Sequence, residues 1–481
     1  MFLIIFDCMK KILFGALLIT VLILSFCKSE NKTKDKRSLG TSMADFAPKP
    51  PMGWNSFDVY DCRINEAQFK ATVDYMAENL LEYGWDYAVI DYIWWHPEPG
   101  GWNNPKMRFG HPNIRYDAEG KPLDPTTIDE YGRLLPSVER FPSSAGGKGF
   151  KPIADYVHSK GMKFGIHIMR GIHRAAYYND LPVKGTVFSA RDIAVPSDTC
   201  KWCNHMYGVD QGKEGAQEYY NSLFELYASW EIDFVKADDI MFPVYHKGEI
   251  EMIRNAIDKC GRPIALSLSC GEAPLEMAQH LQQNANMWRV SGDFWDNWKS
   301  LVHSFDLLNS WSTSIKPGRW PDADMLPIGR ISIDGRPHGT ERFSEFTLPE
   351  HYTLLSLWMI SRSPLILGAD LLNLPDSTLQ LITNPEVIAV NQNSLNNMQL
   401  SRDSGKVIWI ADDPVSGGKY IALFNLADSA ALVDVNLNSE TLKGSYHVRD
   451  LWTLQNIGVF ETSFGVRLEP HGAGMYKLEK Q

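Results

Sequence analysis

Between about residue 50 and residue 393 the chain alternates short, unbroken apolar runs with stretches whose apolar residues recur at three- and four-residue steps. The short runs cover 52–55, 87–91, 163–167, 234–238, 264–267, 287–290, 319–322 and 365–367. Runs of that length without polar alternation suit strands covered on both faces, as in a parallel sheet. Between them, Phe69, Val73, Met76 and Leu80 share one face of a helix predicted over 66–80. Tyr219, Leu223, Leu226, Tyr227 and Trp230 do the same over 218–230. Eight such strand–helix units predict a (β/α)8 barrel, because right-handed crossovers return each strand parallel to the last. The long insertion 94–150 reads as a loop roofing the barrel mouth.

Past Ser401 the helical period disappears. Short runs at 407–411, 419–425, 431–436, 445–450 and 466–468, with turns such as Ser416-Gly417-Gly418 between them, predict a small antiparallel β-sandwich packed on the barrel. The expected division is therefore a barrel over 48–395 and a β-domain over 400–481. Ahead of both, Met9-Lys10-Lys11 precedes an apolar run over 12–26, then Cys27 and a polar stretch. A basic start and a run too short to span a bilayer read as an export signal over 1–27, beginning at Met9, with a flexible tether over 28–47. Leu24-Ser25-Phe26-Cys27 resembles a bacterial lipoprotein cleavage box, which implies a lipid anchor at Cys27 and a periplasmic or cell-surface address; the alternative is an ordinary signal peptide cut a little later.

A formal charge of −11 argues against a general nucleic-acid binder, which needs a basic face for phosphates. Fifteen Trp and 19 Tyr suit core packing first and sugar-ring stacking second. Five Cys follow the signal: Cys62, Cys200, Cys203, Cys260 and Cys270. Cys200-Lys201-Trp202-Cys203 has knuckle spacing, but no second pair completes four ligands, so a structural role is expected and no metal. No G-x-S-x-G elbow, HExxH pair or phosphate loop is present, and no cofactor is expected.

Active sites of such barrels sit at the C-terminal ends of the strands. The second predicted strand ends in Asp91 and the fourth in Lys236-Ala237-Asp238-Asp239. The sixth runs into Arg289-Val290-Ser291-Gly292-Asp293, the seventh into Asp322-Ala323-Asp324. One Asp after a strand is ordinarily the cap of the next helix; four strand ends doing this on one rim point to chemistry. Paired carboxylates without a metal triad suit glycoside hydrolysis. Lys236 would keep Asp238 ionised, whereas a less solvated Asp293 would retain its proton near neutrality.

Pro51-Met52-Gly53-Trp54-Asn55-Ser56, the strand to Asp91, Lys236-Ala237-Asp238, Gly292-Asp293, Trp320-Pro321-Asp322-Ala323-Asp324-Met325-Leu326 and Ser363-Pro364-Leu365 occur in this order. Val448-Arg449-Asp450-Leu451-Trp452 and Pro470-His471-Gly472 follow in the β-domain. Together, from Pro50 to the end, they resemble glycoside hydrolase family 27, the α-galactosidases and α-N-acetylgalactosaminidases. The resemblance implies a retaining mechanism on a carbohydrate, with Asp238 as nucleophile and Asp293 as acid and then base. It implies Trp54 as an apolar wall, Asp91, Lys236 and Arg289 on ring hydroxyls, and Asp324 with Met325 on the pocket floor.

The chain also departs from the family. Where the family has two consecutive Asp holding the 4- and 6-hydroxyls of galactose, Asp91 is followed by Tyr92, which removes an acceptor and adds bulk near the exocyclic carbon. His167 replaces a Tyr at the third strand end. Glu272 falls near the segment that reads the 2-substituent. Cys62 occupies a disulfide position whose partner beside Asp91 is missing. Catalysis on terminal α-D-galactosyl residues leads this reading. A β-L-arabinopyranosidase, whose sugar is galactose without its exocyclic CH2OH, and an isomaltodextranase-type enzyme are the alternatives within the class. A non-catalytic glycan-binding lipoprotein is the alternative outside it. His167, His173 and Asp91 do not stand at the spacing of a metal site.

Overall fold

A computed structural model describes residues 42–100, 126–333 and 341–481. The export segment with Cys27, and most of the tether, lie outside the described residues. Eight parallel strands form the central sheet: β1 (Met52–Asn55), β2 (Tyr87–Ile90), β3 (Lys163–Met169), β4 (Phe234–Asp238), β5 (Ala265–Leu268), β6 (Met287–Arg289), β7 (Trp320–Asp322) and β8 (Leu365–Leu367). Consecutive strands pair from β1 to β7, and β1 pairs with β8 in the register Met52↔Leu365. Leu326, just past β7, bridges Leu367 of β8 and closes the ring. Strand limits fall within two residues of the predicted runs.

The crossovers carry α1 (Glu66–Asn79), α2 (Lys151–Ser159), α3 (Ala216–Ser229), α4 (Lys247–Lys259), α5 (Ala278–Asn284), α6 (Trp298–Trp311), α7 (Leu348–Ile360) and α8 (Pro385–Asn393). Side-chain caps set the starts of α1, α6, α7 and α8. Asn65 accepts from the Gln68 N–H while Gln68 accepts from the Asn65 N–H, both at 3.0 Å, at the head of α1. Asn297 caps α6 by accepting from the Ser300 N–H at 2.9 Å.

The two-residue period of the strands sorts the barrel interior into layers. Tyr87, Phe234, Ala265, Met287 and Trp320 form an apolar floor. Two residues on, Val89, Lys236, Ser267, Arg289 and Asp322 face the same interior. Two further on, Asp91, Asp238, Ser269 and Asp324 reach the rim. Gly53 permits the close approach of β1 to β2: a Cβ there would lie 2.2 Å from the Tyr87 carbonyl oxygen.

The described part of the 94–150 insertion does not roof the mouth. It packs into the helical layer, with Phe150 5.1 Å from Trp94 and 5.2 Å from Phe141, ring centre to ring centre. Arg140 donates there to the carbonyls of Cys62, Ile64 and Ile93. Apolar surface and backbone acceptors both draw this segment inward. Residues 101–125 lie outside the described residues.

The C-terminal domain is antiparallel. Strands β9 (Leu395–Asp403), β10 (Lys406–Asp412), β11 (Lys419–Asn425), β13 (Tyr446–Asp450), β14 (Gln455–Phe460) and β16 (Ala473–Lys480) form one sheet in the order β9-β10-β11-β16-β13-β14. A ribbon of β12 (Ala431–Asn436) and β15 (Ser463–Leu468) covers it. Ile408, Ile410, Ile421 and Leu423 face that ribbon. The intervening Val407, Trp409, Ala411, Ala422 and Phe424 join the barrel core. Burial on both faces is why β10 and β11 read as unbroken apolar runs. At the same junction His471 stacks on Trp298 of α6, 3.9 Å between centres and 12° from parallel, while its Nδ1 meets Glu350 at 2.8 Å.

Candidate active site

A cavity of about 340 Å3 opens at the C-terminal ends of the strands. Asp91, Lys236, Asp238, Arg289, Asp293, Asp324 and Met325 line it, so the structure brings most of the sequence-derived residues together. Tyr92, Phe57, Trp202, Phe294 and Trp295 supply its aromatic walls.

Asp238, the last residue of β4, is held at both oxygens. His167 Nε2 meets its Oδ2 at 3.1 Å, and the Asp239 N–H donates to Oδ1 at 2.7 Å. Burial opposes its charge, but the hydrogen bond from His167, Lys236 and the Asp239 N–H outweigh it, and the carboxyl sits below its ordinary value. Asp91 is buried beside it, its Oδ2 accepting from Asn55 Nδ2 at 2.7 Å and Lys236 Nζ at 3.0 Å. Its Oδ1 accepts from the Tyr92 N–H at 2.8 Å. Burial is again overcome, here by Lys236, His167 and these donors, so Asp91 is held well below the carboxylate range. Burial works against the Lys236 charge too, yet Asp91, Asp238 and Asp324 together raise its ammonium.

Arg289 organises the opposite side. Its Nη1 lies 2.7 Å from Asp324 Oδ1, and its Nη2 donates to the Gly292 carbonyl and reaches Asp293 Oδ1 at 3.4 Å. The Phe294 N–H donates to Asp324 Oδ2 at 2.8 Å. Asp324 turns the chain at φ 89°, a left-handed conformation fixed by these contacts and by its own N–H donating to Asp322. Burial pushes its carboxyl pKa upward against Arg289, and Asp293 and Asp322 add to the rise.

Asp239 carries a second network. Also left-handed at φ 57°, it pairs with Arg170 Nε at 3.1 Å. The same guanidinium meets Asp198 at 2.7 Å and Glu249 at 2.9 Å. One cation faces three acids, and burial pushes Asp239 up to about 7 despite Arg170.

Four expectations need correction. Trp54 is fully buried and lines no part of the cavity: its indole N–H donates to the Ala369 carbonyl at 2.8 Å, and its ring lies 6.4 Å from Phe69. The reason is strand parity: Asn55 faces the interior, so Trp54 faces the helices. Phe57, two residues past β1, is the aromatic on the wall. His167 is 1% exposed and lies behind Asp238, against its carboxylate and outside the cavity lining. Asp293 is not the less solvated acid: its side chain is 68% exposed against 14% for Asp238, because Gly292-Asp293 stands on the open rim while Phe294 turns inward. Glu272 points away from the cavity and pairs with His303 at 3.1 Å; Ser269 and Cys270 line that side instead. Cys62, Cys200 and Cys203 are buried, and none of them forms a disulfide among the described residues.

Asp58 and Trp202 were missed. Asp58 is 1% exposed, its Oδ2 lacks a hydrogen-bond partner among the described residues, and burial with Asp324 raises its carboxyl far above the usual range. The strand-end rule applied to β1 would have found it. Trp202 arrives on the long loop after β3, where no periodicity guides a reading.

Residues 203–393 match the family described as Alpha galactosidase A, and residues 403–478 match the Alpha galactosidase C-terminal beta sandwich domain. A β-L-arabinopyranosidase of glycoside hydrolase family 27 from Geobacillus stearothermophilus, solved with arabinose, is 43% identical with a TM-score of 0.85. That superposition covers 92% of this chain and 100% of the other. Alpha-galactosidase 2 of Arabidopsis thaliana is 27% identical over 445 residues, 90% of each chain. Alpha-galactosidase A of Cellvibrio japonicus is 27% identical over 442 residues, 88% of this chain and 84% of its own. A barrel with a carboxylate-rimmed, aromatic-walled cavity and these relatives define a glycoside hydrolase, and carbohydrate as its substrate class. Within that class, the chain belongs to family 27, the α-galactosidase or melibiase family, including its C-terminal β-sandwich.

Proposed function

We propose that the protein is a retaining β-L-arabinopyranosidase. The observation that carries this reading is Tyr92, 2% exposed and set in the cavity wall beside Asp91. L-arabinopyranose matches galactose apart from the exocyclic CH2OH. Where a galactoside enzyme of the family offers a second Asp to that group, this chain offers an aromatic ring whose hydroxyl is engaged by Cys203. The Geobacillus relative, named for this activity and solved with arabinose, supports the same choice.

In this reading Asp238 attacks the anomeric carbon. Its lowered carboxyl keeps it ionised, and His167 and the Asp239 N–H fix both oxygens, so little reorganisation is needed. Asp293 protonates the leaving oxygen from the rim and then takes a proton from water entering at the open mouth. Retention requires the two carboxyl groups to stand about 5–5.5 Å apart across the sugar. Asp91 and Lys236 bind ring hydroxyls at the base of the cavity, with Arg289 and Asp324 across from them. The segment ahead of Cys27 would carry the enzyme out of the cytoplasm.

Parallel measurement of kcat/KM on aryl β-L-arabinopyranoside, α-D-galactoside and α-D-glucoside tests the assignment. The arabinoside should be preferred in the wild type, and Tyr92→Asp should raise galactoside turnover. A wild-type preference for galactoside overturns it in favour of α-galactosidase.

A further inference from the structure

The Cys200-Lys201-Trp202-Cys203 segment reaches the sugar cavity, yet the carboxylate chemistry gives it no task. Trp202 lines the cavity against Tyr92, ring centres 5.6 Å apart and planes at 63°. The Tyr92 hydroxyl donates to Cys203 Sγ in a close contact of 2.6 Å, and Cys203 is fully buried. On its other edges the Tyr92 ring meets His167 at 5.4 Å and Trp95 at 6.0 Å. Tyr92 is thus braced by three rings, and Cys203 engages its polar tip.

Excluding a sugar by bulk works only as well as the wall resists displacement, because an aromatic ring that swings aside admits the larger ligand. A phenol hydroxyl in a dry wall also needs a partner, or the ring will move to find one. We propose that Cys203 is a positioning residue for sugar selection: by engaging the Tyr92 hydroxyl it holds the ring where a pentopyranose fits and an exocyclic CH2OH does not. This rests on the role given to Tyr92 above. The thiol touches no substrate and acts only through that ring.

The test is a double-mutant cycle read as a ratio. kcat/KM on aryl β-L-arabinopyranoside and aryl α-D-galactoside is measured for wild type, Cys203→Ala, Cys203→Ser, Tyr92→Phe and the Cys203→Ala/Tyr92→Phe pair. Both substrates meet the same enzyme sample, so loss of folded protein cancels in the ratio. Cys203→Ala should lower the arabinoside-to-galactoside ratio about threefold to tenfold, the scale of one neutral hydrogen bond. Cys203→Ser should keep it near wild type, and Cys203→Ala should add nothing once the Tyr92 hydroxyl is gone. An unchanged ratio in Cys203→Ala, or an equal shift in the Tyr92→Phe background, overturns the inference. A wild-type preference for galactoside sinks the arabinopyranosidase reading instead, and is seen before any variant is compared.

Discussion

His167→Phe probes how the Asp238 carboxylate is kept in its reactive form. The substitution removes the Nε2 donor 3.1 Å from Oδ2 but keeps a ring in the buried space behind it. A hydrogen bond to a charged group contributes about 1.5–3 kcal/mol. At about 1.36 kcal/mol per pKa unit, its loss should raise the Asp238 carboxyl by roughly one to two units. The sign follows from the proposed role: a nucleophile works ionised, so activity falls as pH drops through its pKa. Wild-type Asp238 lies below the ordinary carboxylate value, and the acid limb should lie correspondingly low. The assay is kcat/KM against pH on an activated aryl glycoside, which reports groups of the free enzyme. In His167→Phe the acid limb should move up by about one to two units, and His167→Gln, which still offers an N–H, should recover part of the shift. A limb that stays in place while kcat falls would refute the reasoning, since His167 would then be acting on packing or substrate alone.

Asp293→Ala should slow glycosides with poor leaving groups by orders of magnitude more than activated aryl glycosides, because only the former need a proton; equal losses on both would remove it from the acid role. Asp239→Asn should change stability in a pH-dependent way. Burial lifts Asp239 to about 7, so its protonated form favours folding at low pH, and that contribution is lost as pH rises from about 4 through about 7. Asn mimics the neutral form, accepts the left-handed backbone, and should gain up to roughly 4 kcal/mol over wild type at pH 8 and only about 1.5 kcal/mol at pH 5. Thermal melts at both pH values check this, and a difference independent of pH would contradict it.

The barrel was legible because its strands are buried on both faces and announce themselves as unbroken apolar runs. Strands β9 and β14 were not. Both stand at the edges of their sheet with largely exposed side chains, and nothing in Gln455–Phe460 alternates. Strand β16 is central, but Ala473-Gly474 at its start and Glu479-Lys480 at its end blur the pattern. At the site, the strand-end rule found Asp91, Asp238 and Asp324, since position along a strand fixes height in the barrel. Parity in a four-residue strand is harder: Trp54 and Asn55 are equally plausible as the inward residue until the hydrogen bond from Asn55 to Asp91 decides it. Solvation of Asp293 depends on how a loop opens, which short-range spacing does not encode. Trp202 depends on the path of a long connection for the same reason.

The stacked pair His471–Trp298 has a bearing on modularity. Trp298 begins the helix that follows the Asp293 rim, and the imidazole clamped onto it comes from the far end of the chain, itself anchored to Glu350. Cutting the polypeptide after the barrel would strip this buttress from the segment carrying the proposed proton donor. The two halves are consequently poor candidates for separate expression or recombination with foreign partners: what resembles an appendage braces the helix that follows the rim.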